Sequence, residues 1–273
     1  MLLGLVLLAP GCPATAADAP SPAADPCPRA AMGDIRAASA AIQQMMTPGA
    51  KFDYTSLPVA ATLSAEAERQ KRDFPNLCQF RDANAKVVAS GTRPKVVFLG
   101  DSITALWQVA DPGFFSPTMI NRGIGGQTTP QIELRFYPDV VALHPRIVHI
   151  IAGTNDVAEI TGPASDATIV NNIRAMIDIA QANGIKVVLG STPPTKSFYG
   201  SPIRPAPRVK ALNAQLSQLA REKKVVWVDY YAKLTDPEGG MLAAYSNDGV
   251  HPNRDGYAVM RLLAEQAIAR ATR

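Results

Sequence analysis

The sequence predicts an α/β fold in which a parallel sheet carries helices on both faces. From residue 95 onward, short apolar stretches alternate with helical stretches, which is typical of strand–helix–strand units. Residues 147–151 (IVHII) form a largely apolar run, as expected for a strand that is covered on both faces. In residues 168–182 the apolar side chains recur at helical spacing: Ile169, Ile173, Met176, Ile177 and Ala180.

Strands and helices can be assigned in order along this part of the chain. The predicted strands are residues 95–99, 119–121, 147–151, 185–189 and 225–228. The predicted helices are residues 130–143, 167–182, 209–223 and 254–270. The third helix is expected to begin after Pro205 and Pro207, because proline cannot sit inside a helix.

The first 26 residues are expected to be a targeting segment and a linker. Residues 2–9 (LLGLVLLA) are apolar but too short to span a bilayer, and residues 14–16 (ATA) offer a cleavage site of small residues. We therefore predict a signal peptide over residues 1–16, a Pro-rich linker over residues 17–26, and export to the periplasm or the medium. Lipid anchoring through Cys12 is the alternative.

Residues 27–90 are predicted to form a helical N-terminal extension, and residues 91–273 the main domain. Residues 29–46 and 63–73 are rich in helix-forming Ala, Glu, Gln, Met and Arg. In an exported protein Cys27 and Cys78 would form a disulfide; otherwise they would be separate buried thiols. The sequence assigns no role to this extension.

Charge and cysteine spacing exclude some classes of partner. The formal net charge is +4, and the charges are scattered without a run of Lys or Arg, so we expect no nucleic-acid partner. Neither Cys27 nor Cys78 has a nearby Cys or His at metal-ligand spacing, so a zinc site is not expected. No integral membrane span is expected, and the sequence leaves the oligomeric state open.

Four polar or glycine-rich loops are expected to meet at one edge of the sheet. They are residues 100–103 (GDSI), 123–128 (GIGGQT), 153–156 (GTND) and 248–251 (DGVH). The carboxyl ends of the strands in an open α/β sheet form the crevice in which ligands bind. Taken together, the loops favour a catalytic site at that edge.

Each loop has another interpretation when it is taken alone. Ser102 could cap the helix after the first strand, and residues 123–128 could cradle an anion. Asn155 and residues 248–252 could be ordinary turn residues.

A serine with an imidazole and an acid is the minimum set for nucleophilic acyl transfer. Among the three histidines of the chain, His144 precedes a proline in the loop that enters the third strand, at the opposite edge. His149 lies inside that strand and is expected to be a core residue. His251 alone combines a nearby acid, Asp248, with a loop on the same edge as Ser102.

These stretches resemble the sequence blocks of the SGNH hydrolases, also called GDSL-type esterases and lipases. The matching residues are 98–104 (FLGDSIT), 121–126 (NRGIGG), 153–156 (GTND) and 248–252 (DGVHP). The first two blocks, with Trp107 and Arg135 following, resemble the branch similar to platelet-activating-factor acetylhydrolase and to carbohydrate acetylesterases.

The resemblance covers about residues 94–270 and implies a fold and a set of catalytic residues. The implied fold is a flavodoxin-like three-layer α/β/α sandwich with a five-stranded parallel sheet. The implied nucleophile is Ser102, with His251 as the base and Asp248 as the acid that orients it.

The resemblance also implies an oxyanion hole, the group of donors that binds the negative oxygen of the reaction intermediate. Its donors would be the backbone N–H groups of Ser102 and Gly126 and the side-chain amide of Asn155. Gly125 is the alternative to Gly126. No metal and no organic cofactor is expected.

The resulting hypothesis is a serine esterase that hydrolyses short-chain acyl esters, preferably acetyl groups on carbohydrate, through an acyl-enzyme. The substrate would be a small-molecule or polysaccharide ester. Alternatives are a lysophospholipase- or thioesterase-type lipid acyl hydrolase, a non-catalytic glycan-binding module and a flavodoxin-like nucleotide binder. The loop of residues 191–208 could bind a sugar or an acidic glycan, or could simply be solvated; its candidate side chains are Lys196, Phe198, Tyr199, Arg204 and Arg208.

Overall fold

A five-stranded parallel sheet organises the chain in the computed structural model, with the strand order β2-β1-β3-β4-β5. The structure describes residue 27 and residues 35–53, 66–198 and 201–273, so the predicted signal peptide and linker lie outside the described residues. The chain divides into residues 1–33 and residues 34–273, and all the elements below belong to the second unit. The strands are β1 (Val96–Gly100), β2 (Met119–Gly123), β3 (Ile147–Ile151), β4 (Lys186–Gly190) and β5 (Val226–Val228).

The helices flank this sheet, and none within the described ranges is long and apolar enough to cross a membrane. They are α1 (Ile35–Met46), α2 (Arg81–Ala89), α3 (Ser102–Ala110), α4 (Thr129–Leu134), α5 (Phe136–Asp139), α6 (Thr154–Val157), α7 (Asp166–Ala182), α8 (Ala206–Glu222), α9 (Tyr231–Leu234) and α10 (Arg254–Thr272). The predicted α/β fold with a five-stranded parallel sheet is confirmed.

The strand order places β1 between β2 and β3, and both pairs are parallel. The chain therefore leaves β1 toward one side of the sheet and returns to its other side for β3. A doubly wound sheet binds its ligands in the crevice at such a reversal. The loops after β1, β2 and β3 all open at this point.

Alternating side chains of the strands bury two separate apolar layers. On one face Val97 and Leu99 of β1 belong to a cluster with residues of α4, α7 and α8. On the other face Val96 and Phe98 belong to a cluster with residues of α3 and α10. Because every residue of β1 is buried, the sheet is covered on both sides.

The single helix expected over residues 130–143 is wrong, because the chain forms α4, α5 and a 3₁₀ turn there. Pro138 lies in α5 and has no N–H to donate to the carbonyl of Leu134, four residues earlier. A continuous helix is therefore interrupted at this point, and Arg135 takes the position between α4 and α5.

The start expected for α8 is also wrong. The helix begins at Ala206 and includes Pro207 in its first turn. The N–H groups of a first turn have no partner within the helix, so proline costs little there.

Residues 34–90, most of the predicted extension, fall in the same compact unit as residues 91–273. Cys27 and Cys78 are both disulfide-bonded, so the alternative of free thiols is excluded. Within its described residues, 35–53 and 66–90, this stretch forms helices α1 and α2, and residues 66–70 are also helical.

Helix α2 is joined to the main domain by a buried amide. The side chain of Asn84 donates to the Oδ1 atom of Asp139 at 2.7 Å and to the carbonyl oxygen of Pro138 at 3.1 Å. Its own oxygen accepts from Nε of Arg122 at 2.8 Å. The Arg122 guanidinium also lies over the ring of Phe80, 4.8 Å from its centre.

A second buried guanidinium, that of Arg135, connects the ends of two strands. It donates to the carbonyl oxygens of Gly100 and Arg122, each at 2.8 Å. It forms an ion pair with Asp139 at 2.9 Å and donates from Nε to Oε1 of Gln127 at 2.5 Å. The side chain is fully buried, so burial lowers its pKa while Asp139 raises it.

His149 is a core residue, as expected. It is fully buried in β3, and its Nε2 atom lies 2.7 Å from the hydroxyl oxygen of Tyr230. Burial lowers the pKa of His149 to about 3, so the ring is neutral at physiological pH.

We expect the substitution Asp139→Asn to lower the free energy of unfolding by about 3 kcal/mol, because it leaves a buried guanidinium without its carboxylate. Urea unfolding of both proteins measures the difference. Asp178→Asn is the matched control, since Asp178 pairs with Lys223 and its side chain is 49% exposed. The control substitution should lower the free energy of unfolding by less than about 1 kcal/mol. Equal losses in the two variants would contradict a structural role of the buried pair.

Candidate active site

Ser102 is the first residue of helix α3 and is separated from the end of β1 by Asp101 alone. The helix is capped by the preceding residue: Oδ1 of Asp101 accepts from the backbone N–H of Ile103 at 2.9 Å. The interpretation of Ser102 as a mere helix cap is therefore wrong, and its hydroxyl is free to contact another group.

That group is His251, which lies 149 residues further along the chain. Oγ of Ser102 and Nε2 of His251 are 2.9 Å apart. On the other side of the ring, Nδ1 of His251 is 2.7 Å from Oδ2 of Asp248. The three side chains that the sequence singled out are thus brought together in one hydrogen-bonded chain.

The loop of residues 246–251 fixes the carboxylate of Asp248. Its Oδ1 atom accepts from the backbone N–H of Val250 at 2.8 Å, the backbone N–H of His251 at 2.7 Å and the hydroxyl of Ser246 at 3.0 Å. The side chain is fully buried. Its Oδ2 atom accepts from Nδ1 of His251, so the proton of the neutral ring is held on Nδ1. Nε2 is then left as an acceptor for the hydroxyl of Ser102.

Two aspartates raise the pKa of His251, whereas burial lowers it. Burial lowers the pKa of His251, while the charge and hydrogen bond of Asp248 and the charge of Asp101 raise it, and the net direction is upward. Asp101 is itself fully buried, and burial raises its pKa to about 6. Its Oδ2 atom has no hydrogen-bond partner within the described residues.

The glycine-rich loop after β2 lies against Ser102. The backbone N–H of Ile124 donates to the carbonyl oxygen of Gly100 at 3.1 Å, which ties the loop to the end of β1. A Cβ atom added to Gly125 would lie 3.9 Å from Cβ of Ser102. Gly126 follows with a φ of +75°, a conformation that glycine adopts without strain.

Asn155 lies on the short helix α6 after β3 and is half-buried. Its side-chain Nδ2 donates to the backbone carbonyl oxygen of Gln127 at 2.9 Å. The amide nitrogen carries a second hydrogen, which this bond leaves available. The loops after β2 and β3 are therefore joined at this side chain.

A further bond between these loops was missed by the sequence reasoning. The carboxylate of Asp156 accepts from the backbone N–H of Thr129 at 2.9 Å and from its hydroxyl at 2.6 Å. Burial raises the pKa of Asp156, and the bonds from Thr129 oppose this rise. Gln127 and Asp156 lie in the loops at residues 123–128 and 153–156, and Thr129 directly follows the first of these loops, but nothing local identified their partners.

The cations of the loop after β4 have partners within the protein. Lys196 forms an ion pair with Glu238 at 2.8 Å, and Arg208 donates to Asp166 at 2.7 Å. Arg204 donates to backbone carbonyls of its own loop at 3.3 Å. Lys196 and Arg208 are therefore ion-paired, whereas Arg204 is bound to carbonyl oxygens, which weakens the alternative in which this loop binds an acidic glycan. Phe198 packs against the apolar core, and Tyr199 lies outside the described residues.

No group of three His, Cys, Asp or Glu side chains in the described parts of the chain could hold a metal ion.

Comparison with known proteins identifies the family. Residues 98–259 match the model of the GDSL-like lipase/acylhydrolase family. A solved structure assigned as an acylhydrolase from Bacteroides fragilis is 41% identical, with a TM-score of 0.70, over 74% of this chain and 99% of that one. A GDSL-like lipase from Bacteroides thetaiotaomicron is 39% identical, with a TM-score of 0.69, over 72% of this chain and 99% of that one.

A curated relative, the uncharacterized lipoprotein YqeF of Bacillus subtilis, is 38% identical over 74 residues. That match covers 26% of this chain and 30% of the relative's length. The family match, by contrast, contains the serine, the glycine-rich loop, Asn155 and the Asp248–His251 pair. The chain belongs to the GDSL-like lipase/acylhydrolase family and is a carboxylic ester hydrolase.

Proposed function

We propose that this enzyme hydrolyses short-chain acyl esters, with acetyl groups on carbohydrate as the preferred substrate, through an acyl-enzyme on Ser102. The observation that carries the proposal is the hydrogen-bonded chain Ser102–His251–Asp248, with links of 2.9 and 2.7 Å. It lies at the reversal of the strand order, where a doubly wound sheet binds ligands.

The first half of the reaction forms the acyl-enzyme. Nε2 of His251 accepts the proton of the Ser102 hydroxyl while Oγ attacks the ester carbonyl. Asp248 stabilises the imidazolium that results. His251 then protonates the leaving alcohol, the ester C–O bond breaks, and the acyl group remains on Ser102.

The second half releases the acid. His251 accepts a proton from water as the water oxygen attacks the acyl-enzyme, and it returns that proton to Oγ when the intermediate collapses.

The negative oxygen of each tetrahedral intermediate binds to the N–H groups of Ser102 and Gly126 and to the side-chain amide of Asn155. The N–H of Ser102 belongs to the first turn of α3, where it has no intrahelical acceptor. The Asn155 amide keeps one hydrogen for the substrate while the other is bound by Gln127. Gly125 is the alternative donor to Gly126, and a Cβ atom added to it would lie 3.9 Å from Cβ of Ser102.

The preference for acetylated carbohydrate rests on the first two motif blocks, which resemble the branch of carbohydrate acetylesterases. A lysophospholipase- or thioesterase-type activity on lipid esters is the alternative. An acyl-length series of nitrophenyl esters, run beside acetylated xylan and pectin with acetate release as the readout, separates them. A non-catalytic glycan-binding role is disfavoured by the short Ser102–His251 contact.

We also propose that the protein is exported. The support is the apolar segment at residues 2–9 with small residues at 14–16. The named lipoprotein among its relatives agrees with an exported location, with Cys12 as the alternative lipid anchor.

We expect Ser102→Ala and His251→Ala each to lower kcat by on the order of 10⁴ to 10⁶, because nucleophile and base act as a unit. Hydrolysis of p-nitrophenyl acetate measures the loss. His144→Asn is a control, since His144 is an exposed turn residue with a φ of +49°, which asparagine tolerates. A Ser102→Ala enzyme with wild-type turnover would refute the assignment of the nucleophile.

Asn155→Ala should lower kcat by about 10² to 10³, as the loss of one oxyanion donor does elsewhere. The same ester assay measures it, with KM determined separately. Asn183→Ala is the matched control, because the Asn183 amide donates to a carbonyl of its own helix at an exposed position. An Asn155→Ala variant that is kinetically silent would show that the hole is built from other donors.

The acid limb of the pH profile should reflect His251. The ring is the base only when neutral, and its pKa is raised above 6.5, so kcat/KM should fall as the pH drops through a value above 6.5. A pH series on the wild-type enzyme measures the midpoint. A rate that stays constant down to about pH 4 would exclude an imidazole with an ordinary or raised pKa as the base.

A further inference from the structure

Gln127 lies in the glycine-rich loop of residues 123–128, called the oxyanion loop below. It connects this loop to a part of the chain that precedes the family domain, residues 98–259. Its side chain is fully buried. Nε2 donates to the backbone carbonyl oxygen of Pro75 at 2.8 Å, and Oε1 accepts from Nε of Arg135 at 2.5 Å. Its backbone carbonyl accepts the hydrogen bond from the Asn155 side chain at 2.9 Å. One residue therefore contacts the N-terminal extension, a buried cation and a proposed oxyanion donor.

The segment that Gln127 contacts, residues 73–80, is itself held in place. The carboxylate of Asp73 accepts from the backbone N–H groups of Leu77 at 2.8 Å and Cys78 at 3.0 Å, which closes a tight turn. The side chain of Gln131 donates to the carbonyl oxygen of Phe74 at 3.0 Å. Cys78 is also disulfide-bonded.

Phe80, at the end of this segment, and Asn84, just after it, contact the other end of the same loop. Phe80 lies under the guanidinium of Arg122, and Asn84 of α2 binds Arg122 and Asp139. Arg122 and Gln127 flank the glycines of the oxyanion loop in sequence. The extension therefore contacts this loop at both ends, through Arg122 and Gln127.

The oxyanion loop needs such a support. After Gly123, the last residue of β2, it contains Gly125 and Gly126, and glycine leaves a backbone more conformational freedom than any other residue. An oxyanion hole works only if its donors are fixed before charge develops, and displacements near 1 Å can cost about 10²-fold in rate. A glycine-rich loop is not rigid enough by itself to fix these donors.

We propose that Gln127 is a positioning residue for the oxyanion hole, and that residues 73–80 are the support that holds it in place. Gln127 acts through Asn155: its carbonyl binds one hydrogen of that amide and so directs the other toward the substrate oxygen. This inference rests on the proposed function, because it needs Asn155 to be an oxyanion donor. It gives residues 73–80, which precede the family match at 98–259, a role in catalysis.

The substitution Gln127→Glu tests the link. Glutamate has the same shape and keeps an acceptor for Arg135, but it cannot donate to the Pro75 carbonyl. We expect kcat on p-nitrophenyl acetate to fall by about 10-fold to 100-fold while KM changes by less than about 2-fold. The matched control is Gln181→Glu, because Gln181 also donates to a backbone carbonyl, that of Lys223, at 2.8 Å. It lies at the end of α7 and should leave both constants unchanged.

A double-mutant cycle separates positioning from a general loss of structure. If Gln127 acts through Asn155, Gln127→Glu should cause no further loss of kcat in an Asn155→Ala enzyme. Full additivity of the two losses, or a Gln127→Glu enzyme with wild-type kcat, would overturn the inference. If Asn155→Ala alone is silent, the proposed oxyanion hole fails first and this inference fails with it.

Gln131→Glu gives an independent test should Gln127→Glu not fold. It removes the bond to Phe74 but keeps the acceptor for the backbone N–H of Thr128. We expect kcat to fall by about 2-fold to 10-fold at constant KM, and the fall to vanish in the Asn155→Ala background. An unchanged kcat would overturn the supporting role of residues 73–80.

Discussion

The architecture of the site depends on the buried guanidinium of Arg135. It binds the carbonyl oxygen of Gly100 at the end of β1 and that of Arg122 in β2, and Asp139 balances its charge. Removing a charge from water at this depth costs several kcal/mol unless its N–H groups are well matched. The match holds the two strand ends in one relative position. Ser102, the proposed nucleophile, follows one of these ends and the glycine-rich loop follows the other, so both take their positions from the same rigid group.

Three aspartates near Ser102 make different contacts because their surroundings differ. Asp248 has donors on both oxygens and contacts His251, whose imidazolium it is proposed to stabilise. Asp101 has a donor on one oxygen only, and burial raises its pKa to about 6; it caps α3 and leaves the hydroxyl of Ser102 to His251. Asp156 is occupied by Thr129 and connects two loops. An aspartate here therefore orients His251, caps a helix or joins two loops, depending on the donors that surround it.

The sequence predicted the features that have local signals. The alternation of apolar and helical stretches gave the sheet, and the motif blocks identified the residues that converge on Ser102. The interruption at Pro138 was missed because the amphipathic pattern continues through it, although proline removes a backbone donor there. The contacts of Asn84 with Asp139 and of Gln127 with Pro75 join residues more than fifty positions apart. A glutamine or asparagine gives no sign in the sequence of which distant carbonyl it will bind.

These distant contacts also explain why the two halves of the site differ in how they are supported. The Asp248–His251 pair is organised within a few residues, by backbone N–H groups of its own loop. The proposed donors for the oxyanion lie on separate loops. A glycine-rich loop that approaches a reacting oxygen cannot carry the bulky side chains that would stiffen it. Its rigidity has to come from neighbours. In the proposed arrangement, Arg135 supports the loop from within the family domain, and residues 73–80 support it from outside that domain.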